Sequence, residues 1–105
     1  MTTFDKREEG FERKFALDEE LRFKAEARRN KLFGLWVAEK LGMPPDEAKT
    51  YAREIVTADF EQAGGVIRKA LADLTDNAIA ISESDLRVKM NELMALAIVQ
   101  VKAGT

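Results

Sequence analysis

From residue 17 onward, apolar residues return at intervals of three and four, and no stretch alternates with the period of two that a half-buried strand needs. The spacing predicts four helices. The first runs from about Leu17 to Leu41, with Leu17, Leu21, Ala25, Arg28, Leu32, Leu35 and Trp36 on one side. Gly42 is placed to stop it, and MPPDE starts the second, where Pro45 suits a first turn and Asp46 and Glu47 favour the positive end of the helix dipole. That helix, Pro45 to Gln62, turns Ala48, Tyr51, Ala52, Ile55 and Val56 inward. Ala63, Gly64 and Gly65 interrupt the pattern, and it resumes from about Val66 to Ala78 through Ile67, Ala70, Leu71 and Leu74. Ser82 followed three residues on by Asp85 resembles a capping box. It opens a fourth helix whose apolar face is Leu86, Met90, Leu93, Met94, Ala97 and Val101. Short connections set successive helices antiparallel. The expected fold is all-α: a small antiparallel four-helix bundle over residues 17–105, preceded by a mobile N-terminal segment, residues 1–16.

That opening stretch, MTTFDKREEGFERKFALDEELRF, carries four phenylalanines among charges. Treated as a helix, it brings Phe4, Phe11 and Phe15 within about 40° of one another. The stripe of the first helix, continued backwards, lies about 100° away, and Phe23 falls on yet another side. Gly10 costs about 1 kcal/mol relative to alanine in a helix, and some 15 residues are marginal as an isolated helix in water. Two uses of the aromatic stripe remain open: packing over the chain's own bundle, or folding against a partner.

Composition narrows the function classes. The chain has 105 residues, enough for one domain, with 46% apolar and 34% charged residues. A net charge of -2 with interspersed signs argues against a nucleic-acid partner. No apolar run approaches the roughly 18–20 residues of a membrane span, and the N-terminus lacks a signal-peptide pattern, so an intracellular protein without membrane insertion is expected. Cysteine and histidine are both absent, which removes disulfides, thiolate nucleophiles and the commonest base and metal ligand. The chain is not expected to be an enzyme or to hold a metal; Asp18, Glu19 and Glu20 suit the electrostatics of a helix start.

The most basic cluster is Glu26–Lys31. Its plain reading is a solvated face with internal pairing, in which Arg28, on the core side, pairs with a carboxylate of another helix. A rival reading takes Arg28, Arg29, Lys31 and Trp36 as an anion or nucleotide site, the indole stacking on a base and the cations meeting phosphates. No phosphate-binding loop supports it, since AGG followed by VIRKA has the wrong spacing, and Trp36 reads more simply as core. A helical regulatory module that binds a nucleotide or another protein therefore stays open as an alternative.

FKAEARRNKLFGLWVAEKLG (Phe23 to Gly42), preceded by FDKREEGFERKFALDEELRF, resembles the zeta subunit of alphaproteobacterial F-type ATP synthases. The resemblance covers essentially the whole chain. It is most specific over residues 4–42, continues through YAREIV and ADFE, and is loosest over the last two helices. It implies an inhibitor of ATP hydrolysis that is cytoplasmic and peripheral on the inner-membrane enzyme. Its partners would be the alpha, beta and gamma subunits, with the free protein monomeric and no obligatory cofactor, although adenine nucleotide could regulate it. The N-terminal segment would enter a catalytic alpha/beta interface near gamma, become helical there and block rotation in the hydrolytic direction. On this chain the anchors would be Phe4, Phe11 and Phe15, with Asp5, Arg7, Arg13 and Lys14 among the charges that set register. Leu17, Leu21 and Phe23 would join the inserted part to the bundle.

Overall fold

The computed structural model describes residues 19–62 and 64–104. Among these, four α-helices and no strands are found: α1 (Glu19–Lys40), α2 (Pro45–Glu61), α3 (Gly65–Asp76) and α4 (Glu83–Lys102). The all-α bundle predicted from the spacing is the observed architecture. The expectation of a mobile segment over residues 1–16 lies outside the described residues, as do Phe4, Asp5, Arg7, Phe11, Arg13, Lys14, Phe15 and Leu17.

α1 is the central helix. It packs along α2 on one side and α4 on another, and α3 closes against α2. The registers are antiparallel. Gly34 of α1 lies against Ala52 of α2, Tyr51 and Glu54 of α2 reach Asp73 and Lys69 of α3, and Arg28 and Trp36 of α1 meet Gln100 and Lys89 of α4. The Gly34 contact is so close that a Cβ placed there would sit 2.7 Å from the Ala52 Cα. A mid-helix glycine that looks unfavourable in sequence is therefore what lets the two backbones approach.

The core joins Phe33, Val37 and Ala38 of α1 to Ala48, Tyr51 and Ile55 of α2, Val66, Ile67, Ala70 and Leu74 of α3, and Leu86 and Leu93 of α4. The inward residues expected on α2, α3 and α4 are buried or half-buried as predicted. On α1 the expected Ala25 is buried and Leu21, Arg28, Leu32, Leu35 and Trp36 are half-buried, but the expected stripe omits Asn30, Phe33, Gly34, Val37 and Ala38, which are fully buried. A helix with neighbours on several sides needs apolar residues around most of its circumference, and one stripe captures only part of that. The angular offset reckoned from the Leu21–Trp36 stripe therefore no longer bears on where Phe4, Phe11 and Phe15 point.

Local signals set the helix ends. Gly42, in the left-handed region with φ +76°, closes α1: its N–H donates to the Glu39 carbonyl at 3.0 Å and that of Met43 to Ala38 at 3.0 Å. Gly64, also left-handed, precedes α3. The capping box of α4 forms as expected, with Asp85 N–H donating to Ser82 Oγ at 3.1 Å and Ser82 N–H to Asp85 Oδ2 at 3.2 Å.

Candidate functional site: the groove between the start of α1 and the end of α4

Because α1 and α4 run antiparallel, the first turns of α1 lie beside the last turns of α4. Between them opens a groove of about 500 Å³ lined by Phe23, Lys24, Ala27, Arg28, Lys31, Val101 and Gly104. Phe23, Ala27 and Val101 supply apolar surface, and Phe23 is 62% exposed. Lys24, Arg28 and Lys31 supply three cations, and no carboxylate lines the groove among the described residues. Lys24 reaches Glu20 at 3.4 Å on an exposed helical turn. Arg28 Nη1 donates to Gln100 Oε1 at 3.3 Å, so the inter-helix tie expected of Arg28 is present with an amide at its far end.

The four residues read as an anion or nucleotide site do not converge. Arg28 and Lys31 line the groove. Arg29 turns along its own helix, donating from Nε and Nη2 to the buried Asn30 Oδ1 at 3.1 and 3.0 Å. Trp36 stacks on Phe33 with ring centroids 5.8 Å apart, and Lys40 and Lys89 place their ammonium groups 4.8 and 5.5 Å from its ring centroid. The indole is thus engaged from α1 and α4 at a position two turns away from Arg28 along the helix.

Sequence reasoning singled out Phe23, Arg28 and Lys31. It missed Lys24, Ala27, Val101 and Gly104, the last two of which enter through the pairing of distant helix ends. The signal available was Phe23 itself, an aromatic off every predicted stripe. Other large apolar residues left exposed are Phe60 on α2 and Val88, Leu96 and Val99 on α4.

One polar cluster lies elsewhere and serves the fold. The Tyr51 hydroxyl donates to Asp73 Oδ2 at 2.6 Å, and Lys69 lies 3.2 Å from the same oxygen and 3.7 Å from Glu54. Burial first, then that hydrogen bond and the charges of Asp73 and Glu54, push the Tyr51 phenol far above its ordinary range. This is a clamp between α2 and α3. Among the described residues no group of three or more carboxylates is arranged to hold a metal ion, and no helix is long and apolar enough to cross a membrane.

Comparison with known proteins adds the following. A family model described as ATPase inhibitor subunit zeta matches residues 1–100. A structure determined by solution NMR is 52% identical, with a TM-score of 0.69 over 81% of this chain and 99% of that one. No curated protein matches.

Proposed function

The chain belongs to the ATPase inhibitor subunit zeta family, and from that premise we propose that it is a non-catalytic brake on ATP hydrolysis by the F-type ATP synthase, acting through residues 1–16. In this reading residues 17–105 form the anchoring bundle. Residues 1–16 enter a catalytic interface between alpha and beta beside gamma, become helical there and oppose rotation in the hydrolytic direction. The protein is then cytoplasmic and peripheral on the inner-membrane enzyme.

The observation that carries this reading is the span of the family match. It includes the opening segment, in which Phe4, Phe11 and Phe15 lie, as well as all but the end of the bundle. Physical support comes from the core, which the described helices assemble among themselves. Those three phenylalanines are then the apolar anchors, each contributing roughly 1.5–3 kcal/mol on full burial. Asp5, Arg7, Arg13 and Lys14 set register and orientation more than affinity. Leu17, Leu21 and Phe23 carry the inserted helix into α1.

The test is ATP hydrolysis by the F-type ATPase of the source organism, stripped of this protein and reconstituted with full chain. The wild-type chain is expected to inhibit. A Phe4→Ala/Phe11→Ala/Phe15→Ala variant is expected not to, while its thermal unfolding stays nearly unchanged. Inhibition that survives the triple change removes the anchor assignment, and a wild-type chain that leaves hydrolysis untouched removes the function.

A further inference from the structure

The groove between α1 and α4 holds two features that burial in the core does not account for, although Lys24 pairs with Glu20 along α1 and Arg28 with Gln100 of α4. The first is Phe23, 62% exposed although polar residues surround it on α1 and would serve the helix as well. The second is its charge. A chain with net charge -2 gathers Lys24, Arg28 and Lys31 around an apolar floor with no carboxylate among the described lining residues.

We infer that this groove is a second docking site for the ATPase, and that it receives a short amphipathic helical segment presenting acidic side chains beside an apolar one. The inference rests on the functional reading above. The dimensions fit. Phe23 to Lys31 spans about 12 Å, two turns of helix, with Phe23, Ala27 and Lys31 at successive four-residue steps along one edge. Such a floor receives a helix that anchors through residues at i and i+3 or i+4. Val101 closes the apolar contact from α4, and the cations flank it where acidic side chains of the incoming segment would lie.

Position argues for the ATPase as the source of that segment. The described part of α1 begins at Glu19 and Phe23 comes one turn later, so the groove lies close along the chain to the residues proposed to engage the ATPase. Two contacts carried by one chain reinforce each other, since the first raises the effective concentration for the second.

The experiment uses full-length chains and the stripped ATPase. A groove variant, Lys24→Glu/Lys31→Glu, changes side chains that lie open to solvent, and thermal unfolding checks that it folds as the wild type does. Its half-maximal inhibitory concentration is expected to rise about tenfold or more, with the same maximal inhibition. The Phe4→Ala/Phe11→Ala/Phe15→Ala chain is expected to bind without inhibiting, and to lose binding when the groove changes are added. Zero-length carbodiimide coupling should link Lys24 or Lys31 to aspartates or glutamates of the ATPase.

A groove variant that inhibits and binds as the wild type overturns the docking site and leaves the inhibitor reading standing. Coupling of those lysines to Asp5, Glu8, Glu9 or Glu12 of the same chain, or to a second copy, assigns the groove to another occupant and overturns the proposal. Protection of both lysines from acetylation by ATP or inorganic phosphate alone does so too, in favour of a small anion. If the wild-type chain does not inhibit but binds through the groove, the functional reading fails and the docking site survives.

Discussion

Ala78 occupies a backbone position that favours glycine, and replacing it by glycine should stabilise the bundle. α3 and α1 end on the same hydrogen-bond pattern. After α3, Ala78 N–H donates to the Thr75 carbonyl at 3.0 Å and Ile79 N–H to Leu74 at 2.9 Å; after α1, Gly42 and Met43 do the same toward Glu39 and Ala38. In both, the second residue past the helix is left-handed, with φ +61° at Ala78 and +76° at Gly42. An L-residue there costs roughly 1–2 kcal/mol, because its Cβ crowds the following carbonyl. Glycine removes that strain but enlarges the unfolded ensemble, which offsets about 0.4–1 kcal/mol. Ala78 is exposed, so the exchange gives up little packing. The balance is a gain of about 0.5–1 kcal/mol, or roughly 2–8 °C in Tm for a domain of this size. Gly42→Ala is the mirror experiment. A Cβ at Gly42 meets nothing within 4 Å, so its cost is that of the backbone alone, about 1 kcal/mol of lost stability. Urea unfolding followed by far-ultraviolet circular dichroism, with unchanged m-values, measures both. Destabilisation by Ala78→Gly, or a neutral Gly42→Ala, would refute the account of these helix ends.

Three further outcomes follow from the packing. Gly34→Ala should destabilise by about 1–2 kcal/mol in urea unfolding, because forcing α1 away from the Ala52 backbone costs roughly 1–3 kcal/mol and helix propensity returns up to about 1; a stabilised variant would show that the helices separate freely there. Tyr51→Phe should cost about 1.5–3 kcal/mol at neutral pH by removing a hydrogen bond to a carboxylate. Since the folded phenol titrates above its unfolded value, its stabilisation is complete below about pH 10 and declines above it, so a wild-type stability curve that falls no faster there than that of the phenylalanine variant counts against the clamp. Ser82→Ala should lose about 1 kcal/mol through the missing cap of α4, read as a lowered urea midpoint, and an unchanged midpoint would deny the capping box its contribution.

The four helices were legible because each carries apolar residues at helical spacing between clear stop and start signals. Gly42, Pro45, the glycines before α3 and the Ser82–Asp85 pair mark ends that the structure places within about two residues of expectation. The buried face of α1 was not legible. Phe33 and Val37 lie at the centre of the core, yet a search for one stripe selects Leu21, Leu32 and Trp36, since a central helix is apolar on several sides. Gly34 was equally hidden: only the approach of Ala52 gives it meaning. The candidate site was legible by halves. Phe23, Arg28 and Lys31 stood out from their own helix, whereas Val101 and Gly104, some seventy residues on, join them only once α1 and α4 pair antiparallel. No local pattern encodes that meeting.

The energetics of the proposed brake give the bundle a role beyond carrying the effector segment. Ordering the backbone of 16 residues costs more than three buried phenylalanines return. The deficit is met only where the catalytic interface supplies further hydrogen-bonded and apolar walls, which makes insertion marginal and reversible. A groove that holds the bundle beside that interface changes the arithmetic without touching the inserted state: it turns entry of the segment into an intramolecular step at an effective concentration in the millimolar range. The two surfaces should then fail differently. Changes at Phe4, Phe11 and Phe15 lower the extent of inhibition at saturation, whereas changes at Lys24 and Lys31 raise the concentration needed and leave the extent intact. Titration of hydrolysis against each variant separates the two, and a groove variant that lowers the plateau would place those residues inside the inserted element instead of beside it.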